Sequence, residues 1–113
     1  MLLALDVGNT NITLGVFEQD TLRFMSRIST DKSHTADQYA AELLSVLALH
    51  GTAPKALSGA AVSSVVPGLT GAVSAAAERI TGKAPLVVGP GVKTGLHIKI
   101  DNPAQLGADM VVG

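Results

Sequence analysis

The chain has 113 residues, 47% of them hydrophobic and 15% charged, with a formal net charge of -1. That is enough apolar chain for one globular core, and the near-zero charge with scattered Lys and Arg excludes the basic footprint of a nucleic-acid binder or an anionic-membrane binder. With no cysteine there is neither a disulfide frame nor a thiolate metal site, a usage that fits a reducing, cytoplasmic setting. The opening MLLALDVGN is too short an apolar run, without a basic flank, to be a signal peptide, and no stretch approaches the ~20 apolar residues of a membrane span.

In chain order, Leu2 to Asp6 and Ile12 to Glu18 read as paired strands joined by the turn DVGNTN, and Leu22 to Ser29 alternates as a third strand, which makes the opening a β-meander. Thr35-Ala36-Asp37-Gln38 is a helix start, with Thr35 as N-cap and Gln38 at the capping-box position. Apolar residues at helical spacing carry that helix to His50 and Gly51. Ala60 to Val66 is a continuous run of small apolar residues, as in a strand covered on both faces. Pro67-Gly68 closes it, Leu69 to Ile80 has helical spacing, and Gly82 is the expected stop. Leu86 to Val88 reads as a short strand. Gly89 to Leu96, GPGVKTGL, carries too many glycines for a regular element and reads as a loop. A short strand near Ile98, a turn at Asp101-Asn102-Pro103 and a helix from about Ala104 complete the series. A meander followed by alternating helices and strands is the order of an α/β layer.

The DVGNTN turn is chemically unusual. With Asp6 at the end of the first strand, its carboxylate leaves the sheet edge while the N-H groups of Gly8 to Asn11 line a concavity suited to phosphate oxygens. Gly8 lets the main chain come close, and the Asn9 and Asn11 amides with the Thr10 and Thr13 hydroxyls add donors. A carboxylate beside phosphate calls for a cation such as Mg2+ between them. The same residues also make an ordinary hairpin loop in which Asp and Asn satisfy their own backbone, and the spacing is compatible with both. In LGAD, Leu106 to Asp109, the acid falls in the first turns of the last helix, where the macrodipole keeps a carboxylate ionised. It suits a base that accepts a hydroxyl proton, and equally plain capping.

Other polar residues rank lower. His34, His50 and His97 lack metal-ligand spacing and any nearby partner pattern, and His50 before Gly51 reads as a helix C-terminal cation. Lys93 and Thr94 lie in a glycine loop without P-loop spacing. Ser63-Ser64 falls in a buried-looking strand with no accompanying His/Asp constellation.

The segments DVGNTN, RISTDKSHTADQYA, SSVVPGLT, PLVVGPGVKTGL and DNPAQLGAD, in this order and at these separations, resemble the type III pantothenate kinases, and the resemblance runs from Met1 to Gly113. It implies a ribonuclease H-like, actin-like ATPase domain of the superfamily that unites acetate kinases, sugar kinases, heat-shock chaperones and actin. It also implies transfer of the γ-phosphate of ATP to pantothenate, giving 4'-phosphopantothenate, the first committed step toward coenzyme A. Asp6, Val7, Gly8, Asn9, Thr10, Asn11, Ile12 and Thr13 look like the first phosphate motif of that family, with Asp6 meeting Mg2+ through a bound water. Gly107, Ala108 and Asp109 resemble its pantothenate-contacting segment, flanked by Ile100 and Met110, and Asp109 resembles its catalytic base. Two positions depart from the pattern: the family usually continues GAD with Arg where this chain has Met110, and many members carry Tyr before DNP where it has Ile100.

Members of that family are roughly twice as long. Their second half supplies another phosphate motif, the adenosine contacts and the ligands of a monovalent cation, K+ or NH4+, and the resemblance implies a homodimer. Residues 1 to 113 are therefore expected to be one N-terminal actin-like domain, truncated before the second, and inactive by itself. The competing expectation is a non-catalytic module of the same fold that senses nucleotide or serves assembly.

Overall fold

The computed structural model describes residues 1 to 88. The order of elements is β1 (Leu2–Val7), β2 (Asn11–Glu18), β3 (Thr21–Ser29), α1 (Ala36–Leu49), a single 3-10 turn (Pro54–Ala56), β4 (Gly59–Ser64), α2 (Pro67–Thr81) and β5 (Leu86–Val88). The strands form one sheet in the order β3-β2-β1-β4-β5, with the first three antiparallel and β1, β4 and β5 parallel. The expected meander is present. The first strand runs one residue past Asp6, to Val7, and the glycine loop from Gly89, the strand near Ile98, the turn at Asp101 and the helix from Ala104 lie outside the described residues.

β1 is the central strand, and its residues alternate between two unequal faces. Leu3, Leu5 and Val7 join Ile12, Leu14 and Val16 of β2 and Ala60 and Val62 of β4 in the main core, which α1 covers with Tyr39, Leu43 and Leu47 and α2 with Leu69, Val73, Ala76 and Ala77. Burying side chains of this size contributes about 1.5–3 kcal/mol each before the entropy of ordering them is counted. The other face carries a small cluster, Ala4 and Phe17 with Leu2, Leu22 and Met25 around them. A bulge lets β3 serve both faces: Val16 pairs with Phe24 but Phe17 with Leu22, so Arg23 is the extra residue. That shift puts Leu22 and Met25 on one face and Phe24 on the other, which strict alternation from Leu22 would not do. Phe24 stacks on His50, with ring centroids 4.0 Å apart.

The helix ends follow the local chemistry. The Thr35 hydroxyl accepts from the Gln38 N-H at 3.3 Å and Gln38 Oε1 accepts from the Thr35 N-H at 2.8 Å, which is the expected capping box. α1 stops at Leu49, with His50 as C-cap and Gly51 at φ 71°. α2 starts at Pro67, two residues earlier than its apolar spacing indicates, because proline at the first helical position needs no N-H partner. It ends at Gly82 in the left-handed conformation, φ 78°. β4 ends at Ser64, before Val66, because the Ser64 hydroxyl bonds both the N-H and the carbonyl of Val66, at 3.0 and 3.1 Å, and bends the chain out of the ladder. Asp37 and Arg79 pair between the two helices on the exposed side, a contact of small energetic consequence.

Candidate functional site at the carboxyl edge of the central strand

From the end of β1 the chain turns to β2 on one side, while β4, on the other side, hands the chain to α2 and β5. That divergence between two parallel neighbours is a topological switch point, the place where open α/β sheets bind ligands. Two loops meet there. The DVGNTN turn follows β1, and Val65, after β4, donates its N-H to the Val7 carbonyl at 3.0 Å. The N-terminus of α2 opens on the same edge, and its N-cap, Val66, makes no side-chain capping bond.

Asp6 is half-buried and sits opposite Thr13 of β2 and Ser63 of β4, with Arg27 of β3 opposite Thr13 in turn. Paired residues share a face, so this end of the second face is a polar row across four strands, whereas its other end is the apolar cluster around Phe17. An ionisable side chain in a central strand is costly unless it is compensated, and this row sets Asp6 beside two hydroxyl residues at the switch point, which makes it the candidate site.

The turn itself is open. The Gly8 N-H donates to the Asn11 carbonyl at 2.9 Å, but Asn9 and Thr10 form bends rather than a hydrogen-bonded turn. The Gly8 carbonyl, which a closed two-residue hairpin would join to the Asn11 N-H, instead accepts the Thr30 hydroxyl at 2.7 Å. The Thr30 N-H donates to the Thr10 carbonyl at 2.9 Å. A Cβ on Gly8 would lie 3.1 Å from the Asn11 carbonyl oxygen, so any side chain there requires the turn to give by a few tenths of an ångström. Asn9, Thr10 and Asn11 are exposed, and Ile12 is buried in the main core, where it anchors the far side of the turn.

Thr30 is held from the core side. The hydroxyl of Tyr39, a fully buried residue, donates to the Asp31 carbonyl at 2.6 Å and accepts the Asp31 N-H at 3.1 Å. The Ser33 hydroxyl and N-H bond Asp31 Oδ1 at 2.6 and 2.9 Å and hold that carboxyl below its usual range. His34 does have partners, contrary to the expectation from its sequence neighbours: its ring nitrogens lie 3.4 Å from Asp31 Oδ2 and 3.4 Å from Glu42 Oε1. Glu42 comes from the second turn of α1, so only the folded chain brings it there. Among the described residues no group of three or more His, Cys, Asp or Glu is placed to hold a metal ion, and no helix is long and apolar enough to cross a membrane.

The phosphate-motif candidates, Asp6 to Thr13, are thus gathered on one edge. Ile100, Gly107, Ala108, Asp109 and Met110, with Lys93 and Thr94, lie outside the described residues. Thr30 was not singled out by sequence reasoning, and Ser63 was weighed only as a nucleophile and ranked low. Nothing local marks Thr30, since its target is 22 residues away.

The sequence profile of the family described as "Type III pantothenate kinase" matches residues 2–113. The chain is 47% identical over 113 residues to the type III pantothenate kinase of Rhodospirillum centenum, and 45% identical over 112 residues to those of Syntrophotalea carbinolica and Geobacter sulfurreducens. These matches take in 99% of this chain but only 43%, 44% and 44% of the relatives, so the chain spans less than half their length. A solved ROK hexokinase from Thermus thermophilus superposes with a TM-score of 0.57 at 18% identity, over 78% of this chain and 34% of the hexokinase. That likeness shows a shared actin-like ATPase fold. The profile match and the relatives together identify the chain as a member of the type III pantothenate kinase family.

Proposed function

We propose that this chain supplies one wall of the active site for ATP-dependent phosphorylation of pantothenate to 4'-phosphopantothenate. The observation that carries the reading is the open Gly8–Asn11 turn beside Asp6 at the switch point, in a chain of this family. In-line phosphoryl transfer asks the protein chiefly for positioning and charge neutralisation. The exposed turn offers N-H, amide and hydroxyl donors to the phosphates. Asp109, in the GAD segment, orients the primary hydroxyl of pantothenate and accepts its proton, with Gly107, Ala108, Ile100 and Met110 around the substrate.

Mg2+ fits the donor set at this edge. One carboxylate flanked by hydroxyls, without a cage of acids, suits a hydrated ion of this kind, and Asp6 would hold it through a bound water. When bound, the ion neutralises phosphate charge. The monovalent cation, K+ or NH4+, and a homodimeric assembly belong to the same reading, and so does a cytoplasmic location.

The test uses the protein at its full natural length with ATP, Mg2+ and pantothenate. Formation of 4'-phosphopantothenate, and its loss by about 100-fold or more in Asp109→Asn, support the proposal. No product from the unaltered protein overturns it. A melting temperature raised by ATP-Mg without any product selects the nucleotide-sensing module instead.

A further inference from the structure

We infer that Thr30 is the positioning residue that holds the phosphate turn open. The inference rests on the kinase reading of that turn and concerns how the turn keeps its shape.

The turn between β1 and β2 has the length of a two-residue hairpin, and such a hairpin normally closes on itself. Residue 8 would donate to the carbonyl of residue 11 and accept its N-H. Only the first of these bonds is made. The Thr30 hydroxyl occupies the Gly8 carbonyl at 2.7 Å, and the Thr30 N-H occupies the Thr10 carbonyl at 2.9 Å. One residue therefore fixes two alternate peptide units of the turn. Across a planar trans peptide, a carbonyl and the following N-H point in opposite directions. Anchoring the Gly8 and Thr10 carbonyls on Thr30 therefore turns the Asn9 and Asn11 N-H groups away from Thr30, on residues that are exposed. Two donors that a closed hairpin would not present together become available to an anion, as in backbone nests.

Thr30 can bear this role because its own backbone is not loose. It follows the last residue of β3, and Asp31 beside it is gripped through both its N-H and its carbonyl by Tyr39, which is buried in the main core. The line of support runs from the core through Tyr39 and Asp31 to Thr30, and from Thr30 to the turn. Sites held this way keep their geometry before the ligand arrives, so less ordering is left for the binding step. Serine can make the same hydroxyl bond; valine matches the shape of threonine and cannot.

The experiment compares unaltered protein, Thr30→Val and Thr30→Ser at full natural length. Thr30→Val is expected to raise the KM for ATP about tenfold, the scale of one lost hydrogen bond, while kcat and the KM for pantothenate stay within about threefold. By amide hydrogen exchange, the Asn11 N-H is expected to become about tenfold more protected in Thr30→Val, as the freed Gly8 carbonyl takes it back. Thr30→Ser is expected to restore both readouts. If the valine variant is insoluble, Thr30→Ala removes the same hydroxyl and carries the same comparison. An unchanged KM for ATP with unchanged Asn11 exchange overturns the inference. So does an equal loss in kcat and both KM values that serine fails to rescue. If the unaltered protein makes no phosphopantothenate, the kinase reading falls by itself, and the Asn11 exchange comparison still decides whether Thr30 holds the turn.

Discussion

The two hairpin turns of the meander lie at opposite ends of β2 and are built in opposite ways. At Gln19 and Asp20 the chain closes a two-residue hairpin with Glu18 opposite Thr21, and Gln19 takes the positive φ of 55° that such a closure needs. This turn is exposed. At Gly8 to Asn11 the chain leaves one closing bond unmade and gives that carbonyl to Thr30, while Val65 continues the contact of β1 with the chain after β4. A turn that only reverses the chain can be satisfied locally. A turn that keeps N-H groups for a ligand must have its carbonyls satisfied from elsewhere, because an unpaired polar group is costly once the site closes.

The largest effect that sharpens this contrast is expected at the base of the open turn. Leu5 is almost fully buried in β1 and holds the strand that delivers Asp6 and Gly8. Leu5→Ala should destabilise the fold by about 2–5 kcal/mol, read by urea denaturation. Gly8→Ala should lower stability by about 1–3 kcal/mol, because the methyl meets a backbone oxygen that moves only with the turn. If Gly8→Ala proves as harmless as a change in the Gln19 turn, the contrast between the two fails. Tyr39→Phe removes the hydroxyl that grips Asp31 and should cost about 1–2 kcal/mol in the same assay. The smallest effect is expected at the closed turn: Gln19→Gly relieves the left-handed strain but adds unfolded-chain entropy, so stability should change by less than about 0.5 kcal/mol.

Much of this arrangement is legible in the residues. The paired strands at Leu2 to Asp6 and Ile12 to Glu18, the Thr35 and Gln38 pair, and Gly82 after an apolar helix each act within one turn or one strand, and each is present, with β1 running on to Val7 and β2 starting at Asn11. The DVGNTN residue types suit a phosphate-binding loop and an ordinary hairpin loop alike, so the residues by themselves left that choice open. The bulge at Arg23 was not legible, since it depends on which face each β3 residue must bury once β2 is beside it. The early start of α2 and the early end of β4 came from one proline and one serine hydroxyl outweighing the apolar pattern.

Among the described residues, the sequence by itself determined the strands, the two helices and the Thr35 cap, and it determined the membership of the type III pantothenate kinase family, because propensity, capping and motif spacing act between near neighbours and survive in one dimension. The tertiary structure alone decided that β1 lies between β2 and β4, that Asp6 meets Thr13 and Ser63, and that Thr30 reaches Gly8. Those pairings join residues far apart in the chain. Their selection depends on burying both faces of β1 at once and on finding a donor for a carbonyl that its own hairpin leaves unpaired, and neither condition exists before the sheet has formed.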